Sequence, residues 1–346
     1  MKGKLKTAVM GATGYSGLEL TRILARHPRV ETPLLLRREN DSKSPDSLAE
    51  VFPTLAGNGG YPLQSFSWDK LNGVDLLFLA TPHELSRSLV PEAVARGLRV
   101  VDLSGAWRLK CAQHRAVYGF EDADSSAAAK LDNQAVYGLP EINGAQIADA
   151  ALVANPGCYA TSVILALAPL LRAGLVDRER GIVSDSKSGV SGAGKQPTAK
   201  THFVSVADNL SAYAVFGHRH TGEILEQLQL DSAEFIFTPH LLPIPRGILS
   251  TIYVHLVKPM SEAEVEACFR DFYAETAWVR LFSTPQLPQI QYSLHTNYCD
   301  IGFCLADDRR RMVLVSCIDN LLKGAAGQAV QNMNVMYGWD EKEGLN

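Results

Sequence analysis

Cys158 stands in Asn155-Pro-Gly-Cys158-Tyr-Ala-Thr161, after an apolar run at 151–154 and before a helical apolar run that starts at Ser162. That order puts a thiol at the N-terminus of an expected helix. Exposed N–H groups and the aligned peptide dipoles there stabilise a thiolate, and a thiolate attacks acyl carbon. The competing reading is an inert, buried thiol. Cys268, Cys299, Cys304 and Cys317 lie inside periodic apolar segments and read as core, while Cys111 follows a basic stretch and is undetermined. His218-Arg219-His220 supplies two imidazoles. Residues two apart share a face of an extended segment, so both rings could approach Cys158 as the acid–base group; His220 is taken first and His218 second. No cysteine or carboxylate ligand set accompanies the pair, so no metal is expected.

A second cluster could hold a dinucleotide. Gly11-Ala-Thr13-Gly14-Tyr15-Ser16-Gly17 lies between an apolar strand at 7–12 and a helix begun by Leu18, Leu20, Ile23 and Leu24. Glycines there permit a tight turn and let backbone N–H groups approach a pyrophosphate at the positive end of the helix. The next strand ends in Arg37-Arg38 rather than an acidic residue, which suits the 2′-phosphate of NADP better than the ribose of NAD. Ser188-Gly189-Val-Ser191-Gly192-Ala-Gly-Lys195 offers an amide nest for an anion, the alternative being a surface loop. Arg108 and Arg246 are candidates to hold a carboxylate or phosphate, against structural ion pairs. Asn320 precedes the last helix and suits an N-terminal cap.

These groups need a scaffold of two kinds. Up to about residue 155, strands at 7–12, 32–36, 74–80 and 99–103 alternate with helical stretches such as 84–96, which implies parallel pairing in a doubly wound sheet. Beyond 156, strand-like runs dominate at 181–186, 235–239, 249–256, 298–305 and 312–317. The last two flank a polar hairpin loop, and together the runs predict a mixed or antiparallel sheet with a few helices. A final helix is expected over about 320–337, with Leu322, Ala325, Ala326, Ala329, Val330 and Met333 on one face.

The length of 346 residues suits two domains, and 46% hydrophobic residues suffice to fill two cores. A formal net charge of −4 gives no reason to expect nucleic acid or an anionic membrane as a partner. No apolar stretch approaches a membrane span, Met1 runs almost directly into the glycine turn, and none of the 6 cysteines forms a CxxC pair. A reduced, cytoplasmic protein is the expectation. None of the 11 tyrosines has a lysine four residues later, which removes the short-chain dehydrogenases.

The glycine loop and the Cys158 segment, together with Val136-Tyr-Gly-Leu-Pro-Glu-Ile142, Ser188–Lys195, His218-Arg-His220, Thr238-Pro-His-Leu-Leu-Pro-Ile-Pro-Arg-Gly247 and Asp319-Asn-Leu-Leu-Lys-Gly-Ala-Ala-Gly-Gln-Ala-Val-Gln-Asn332, resemble the N-acetyl-gamma-glutamyl-phosphate reductases of the arginine pathway. The blocks follow the family's order and span nearly the whole chain. Ser162 stands where a smaller residue is expected, and Ser104-Gly-Ala-Trp-Arg108 where an Ala-Asp-Phe-Arg type is more usual. The resemblance implies an α/β protein: a Rossmann-type NADP-binding domain of residues 1–155 closed by the C-terminal helix 319–346, and an α+β catalytic and oligomerisation domain of residues 156–318 with a mixed sheet. It implies relatedness to aspartate-semialdehyde dehydrogenases and NADPH-dependent reduction of an acyl phosphate through a Cys158 thioester. It places Ser188, Gly189 and Asn320 by the cofactor and Asn155, Ser191, Gly192 and Lys195 by the substrate, in a homodimer or homotetramer. Reduction of aspartyl phosphate or of a carrier-linked aminoadipyl or glutamyl phosphate remains an alternative, as does a non-catalytic NADP sensor.

Overall fold

The computed structural model describes residues 3–38, 45–57 and 59–345. Its contacts divide the chain into two units: Met1–Arg108, Gly119–Asn155 and Ala326–Asn346 form one, Leu109–Tyr118 and Pro156–Ala325 the other.

The first unit is built on seven strands: β1 (Thr7–Met10), β2 (Leu34–Arg37), β3 (Leu63–Ser65), β4 (Leu76–Leu79), β5 (Arg99–Asp102), β6 (Val136–Tyr137) and β7 (Leu152–Ala154). They pair in the order β3-β2-β1-β4-β5-β7-β6, every pair parallel. The apolar runs are unbroken because both faces are covered. Val9, Leu35, Phe78, Val101 and Val153 point into one core with Leu20, Leu24, Ala329, Val330 and Met333 from the helices Tyr15–Arg26 and Gly327–Met336. Their neighbours Ala8, Leu36, Leu77, Val100 and Leu152 point into a second core with Val90 and Ala93 of the helix His83–Ala95 and with Leu131. This is the expected doubly wound sheet. The final helix differs from its expected span, since Leu322–Ala326 widens into a π-turn and regular helix begins at Gly327.

The second unit carries β8 (Ile182–Gly189), β9 (Ser211–Ala212), β10 (Phe235–Leu242), β11 (Ile248–His255), β12 (Val279–Leu281), β13 (Cys299–Leu305) and β14 (Arg311–Ile318), ordered β12-β13-β14-β11-β8-β10-β9. Pairing is mixed: β8 runs parallel to β10 and antiparallel to β11, and β13 and β14 form the expected antiparallel hairpin. One face buries the helix Cys158–Arg172, of which residues 159–170 are all buried. A helix apolar on every side must lie in a core. Ser162 explains itself here. Its Oγ lies 3.0 Å from both Ser250 Oγ and Ser316 Oγ, and Ser186 Oγ reaches Ser250 at 2.8 Å. Four fully buried hydroxyls thus satisfy one another between helix and sheet.

Leu167 has no exposed surface on this helix. Leu167→Ala should lower the unfolding free energy by about 3 kcal/mol, read from the denaturant midpoint. A loss below about 1 kcal/mol would mean that the helix is not the core of its unit.

Candidate active site

Cys158 is the first residue of its helix, and the preceding Gly157 caps it in an extended conformation without a side-chain bond. The four leading N–H groups of a helix lack intrahelical acceptors. One amide at the entry, that of Gly157, is taken by a carboxylate: it donates to Glu223 Oε2 at 2.9 Å. Glu223 is fully buried and sits one turn into the helix His220–Leu228. On the same turn, His220 Nε2 stands 3.9 Å from Glu223 Oε1. A β-carbon on Gly157 would overlap the Nε2 edge of His220, so the imidazole lies directly against the backbone that precedes the thiol. On the other side, a β-carbon on Gly324 would come 2.7 Å from Cys158 Cβ. Two glycines therefore let a histidine and the chain at 324 close on the cysteine.

His218 and His220 are neighbours, with ring centroids 4.7 Å apart. The extended segment expected between them is absent, because Arg219 turns the chain with helical dihedrals. The His220 N–H donates to His218 Nδ1 at 3.1 Å. An Nδ1 that accepts leaves the ring proton on Nε2, which lies 3.5 Å from the Tyr213 hydroxyl. Burial, with a smaller contribution from Arg219, lowers His218 from 6.5 to about 4. His218 is thus a neutral ring that caps the turn and packs edge-on against Tyr159 and Phe237. Tyr159 donates to the His240 carbonyl at 2.8 Å, burial raising its hydroxyl, and burial pushes Tyr213 up to about 12.

Cys158, His218 and His220 line one cavity of about 310 Å³ with Ser188, Gly189 and Gly192. Its cations are Arg219 and Lys200, neither of which the sequence singled out. Lys195, an expected site residue, is exposed and does not line the cavity. Ser191, Arg246 and Asn320 build its frame. Asn320 Oδ1 accepts the Gly247 N–H at 2.7 Å and its Nδ2 donates to Ser191 Oγ at 2.9 Å, tying three distant stretches of chain together. A β-carbon on Gly189 would lie 2.6 Å from Arg246 N. Arg246 Nε pairs at 3.0 Å with Asp319, a fully buried carboxylate that also accepts the N–H groups of His295, Leu321 and Leu322. Asp319, rather than Asn320, caps the start of the following helical segment.

In the first unit, Gly11 has φ +91°, and a β-carbon there would overlap the Ala80 carbonyl; one on Gly17 would overlap Gly11 O. The turn between β1 and the helix Tyr15–Arg26 is closed so tightly that only glycine fits, with Thr13, Gly14, Tyr15 and Ser16 at a helix start that has no side-chain cap. That is a cradle a phosphate could enter. Arg37, the last residue of β2, donates to the Pro45 carbonyl at 3.0 Å and pairs with Asp46 at 3.3 Å, while Arg38 is exposed. Arg108 is buried and donates to the carbonyls of Asn155 and Leu103 at 2.8 and 2.7 Å. Asn155 is fully buried, its Oδ1 accepting from Asn332 Nδ2 at 3.0 Å.

The two units define a class. Residues 6–150 match the family model described as semialdehyde dehydrogenase, NAD binding domain, and residues 158–320 match semialdehyde dehydrogenase, dimerisation domain. The protein is therefore an oxidoreductase of the semialdehyde dehydrogenase type with an NAD(P)-binding domain. Its fold is similar to that of aspartate semialdehyde dehydrogenase II from Vibrio cholerae, with a TM-score of 0.72 at 19% identity over 97% of this chain and 99% of that one. It is also similar to the NADP complex of the Candida albicans enzyme, with a TM-score of 0.70 at 15% identity over 97% and 99%. Curated relatives narrow the class. The N-acetyl-gamma-glutamyl-phosphate reductase of Desulfotalea psychrophila is 45% identical, covering 99% of this chain and 98% of its own. That of Methanocaldococcus jannaschii is 43% identical over 98% and 97%. The chain belongs to the N-acetyl-gamma-glutamyl-phosphate reductase family.

The lowered value of His218 has a measurable sign. Between pH 6.5 and about 4 the unfolded chain binds a proton that the folded ring refuses. Stability from this group is therefore fully present above that window and is lost as pH falls through it. The slope of unfolding free energy against pH between 6.5 and 4.5 should be shallower in His218→Asn than in the native protein. Equal slopes would show that His218 protonates in the folded state.

Proposed function

We propose that the protein reduces N-acetyl-gamma-glutamyl phosphate to N-acetylglutamate 5-semialdehyde and phosphate, with NADPH, as a step of arginine biosynthesis in the cytoplasm. The observation that carries the reading is the buried Glu223 carboxylate, which sets the Cys158 helix entry and the His220 ring against one another. Among the described residues no helix is long and apolar enough to cross a membrane. The match to a dimerisation domain supports a homodimer or homotetramer.

Cys158 Sγ gives its proton to His220 and attacks the acyl carbon, so that a C–S bond forms and the C–O bond to phosphate breaks. Lys200 and Arg219 supply the positive charge that an acyl phosphate needs in the cavity. An acyl oxygen held at the start of the Cys158 helix would meet its first amides, a donor arrangement that favours negative charge at that atom. NADPH, when bound, supplies the hydride that reduces the thioester carbonyl. The alkoxide then re-forms the carbonyl as the C–S bond breaks, and His220 returns its proton to Cys158 Sγ as the aldehyde leaves. Glu223 lies 3.9 Å from His220 Nε2 and holds the ring beside the thiol. His218 acts one step removed, by holding the turn at Arg219 from which His220 projects. For the cofactor, the glycine cradle fits a pyrophosphate and the exposed Arg38 fits a 2′-phosphate, with Arg37 bracing the strand end.

In the reverse direction, reduction of NADP by N-acetylglutamate semialdehyde should require phosphate. Cys158→Ser should lose it by a factor of about a thousand or more, and His220→Asn by roughly a hundredfold or more. Phosphate-dependent activity surviving in Cys158→Ser would remove the thioester route. Activity with aspartate semialdehyde alone would move the substrate and leave the chemistry in place. Arg38→Ala should raise KM for NADP by about tenfold and leave KM for NAD unchanged; an equal rise for both would take Arg38 away from the 2′-phosphate.

A further inference from the structure

We propose that Cys111, His114 and Glu226 form a zinc(II) site on the second unit, separate from the Cys158 cavity. Their ligand atoms, a thiol sulfur, a ring nitrogen and a carboxylate oxygen, all lie within 4.8 Å of one another. Tetrahedral zinc with bonds of about 2.0–2.3 Å holds its ligand atoms roughly 3.5 Å apart, so closure needs about 1 Å of movement. Cys111 is exposed and its side chain can supply that by rotation. His114 Nδ1 is 2.9 Å from Glu226 Oε1, with only 27% and 14% of their side chains exposed, so their hydrogen bond must open by about half an ångström to admit the ion.

The set is more than three adjacent polar groups. Cys111 and His114 are three residues apart across one helical turn, Ala112–Arg115, which puts sulfur and ring on the same side. Glu226 comes from the helix His220–Leu228 and is oriented by two backbone amides: Lys110 N–H donates to Oε2 at 2.8 Å and Cys111 N–H to Oε1 at 3.0 Å. Such outer bonds are what fix a ligating carboxylate. The His114 ring is held as well, since a β-carbon on Gly222 would lie 2.9 Å from His114 Cβ. Three protein ligands of S, N and O type, with water in the fourth position, suit zinc rather than calcium or magnesium. Binding balances simply. The thiol proton leaves as Cys111 becomes a thiolate, and the metal replaces the proton on His114 Nδ1 as that proton is taken up at Nε2, so one proton is released per zinc. The ion would clamp the Leu109–Tyr118 segment onto the helix that starts with His220.

The test uses Cys158→Ser as the parent, because the catalytic thiol and His220 could themselves bind a soft metal. Cobalt(II) is titrated into the reduced protein as a spectroscopic stand-in for zinc. Expected is one cobalt per chain with a thiolate-to-cobalt charge-transfer band, displaced by zinc. In the double variant with Cys111→Ser that band should vanish and affinity should fall roughly a hundredfold, while Cys111→Ser in the otherwise native enzyme should keep its activity. A band that persists without Cys111, or no uptake at micromolar cobalt by a folded parent, overturns the site. Either result leaves the reductase reading untouched, since that rests on Cys158.

Discussion

Everything at the Cys158 site depends on one backbone amide. A helix that begins inside a protein leaves its first N–H groups without acceptors, and burying them unpaired is costly. Here the amide of Gly157 is satisfied by Glu223, a carboxylate with no exposed surface. A buried polar group is tolerated only where it is bonded or paired, and this one has both a backbone donor and an imidazole nearby. The same bond therefore sets where the Cys158 helix starts, how far the His220 helix approaches it, and why the residue between thiol and histidine has no side chain.

The second unit repeats that device at its other rim. Asp319, also fully buried, gathers one guanidinium and three backbone amides. Beside it Asn320 spends its amide on Gly247 and Ser191. The Cys158 cavity is consequently framed by loops that are short of freedom, although they come from β8, from the β10–β11 connection and from the chain after β14. Beneath it, the serines between helix and sheet bond one another in an otherwise apolar layer. They fix the helix rotation more narrowly than side chains of leucine type would, because hydroxyl geometry is directional.

Much of this is legible from the chain. Parallel strands covered on both faces read as unbroken apolar runs, and the glycine turn and the Cys158 helix start have local signatures. The partners that act at a distance do not. Glu223 sits in Thr221-Gly-Glu-Ile-Leu-Glu226, a pattern that reads as the wet side of an amphipathic helix, and only the fold reveals that the first of its two glutamates points inward. Spacing alone brings the two histidines to one face only in an extended segment, yet a turn at Arg219 brings them together, with one ring capping the amide of the other. Asn320 has the type and place of a helix cap, whereas the cap belongs to Asp319 and Asn320 ties loops. Arg108 and Asn155 carry the residue types of a binding site, and the carbonyls and amide that hold them come from stretches far apart in the chain. The cluster around Glu226 joins residues more than a hundred positions apart, a distance over which local spacing says nothing.

The threading of the chain has a consequence for how the molecule is made. The first core takes in Ala326, Ala329, Val330, Met333 and Met336, which follow the whole second unit in the chain. During synthesis the parallel sheet is therefore translated long before the helix that seals one of its faces leaves the ribosome. Until then Val9, Phe78 and Val101 have an incomplete cover, whereas every segment of the second unit has already been translated. The order of completion in the chain thus runs against the order in which the units begin. The unit begun first is completed last, and for that interval its apolar sheet face is short of cover.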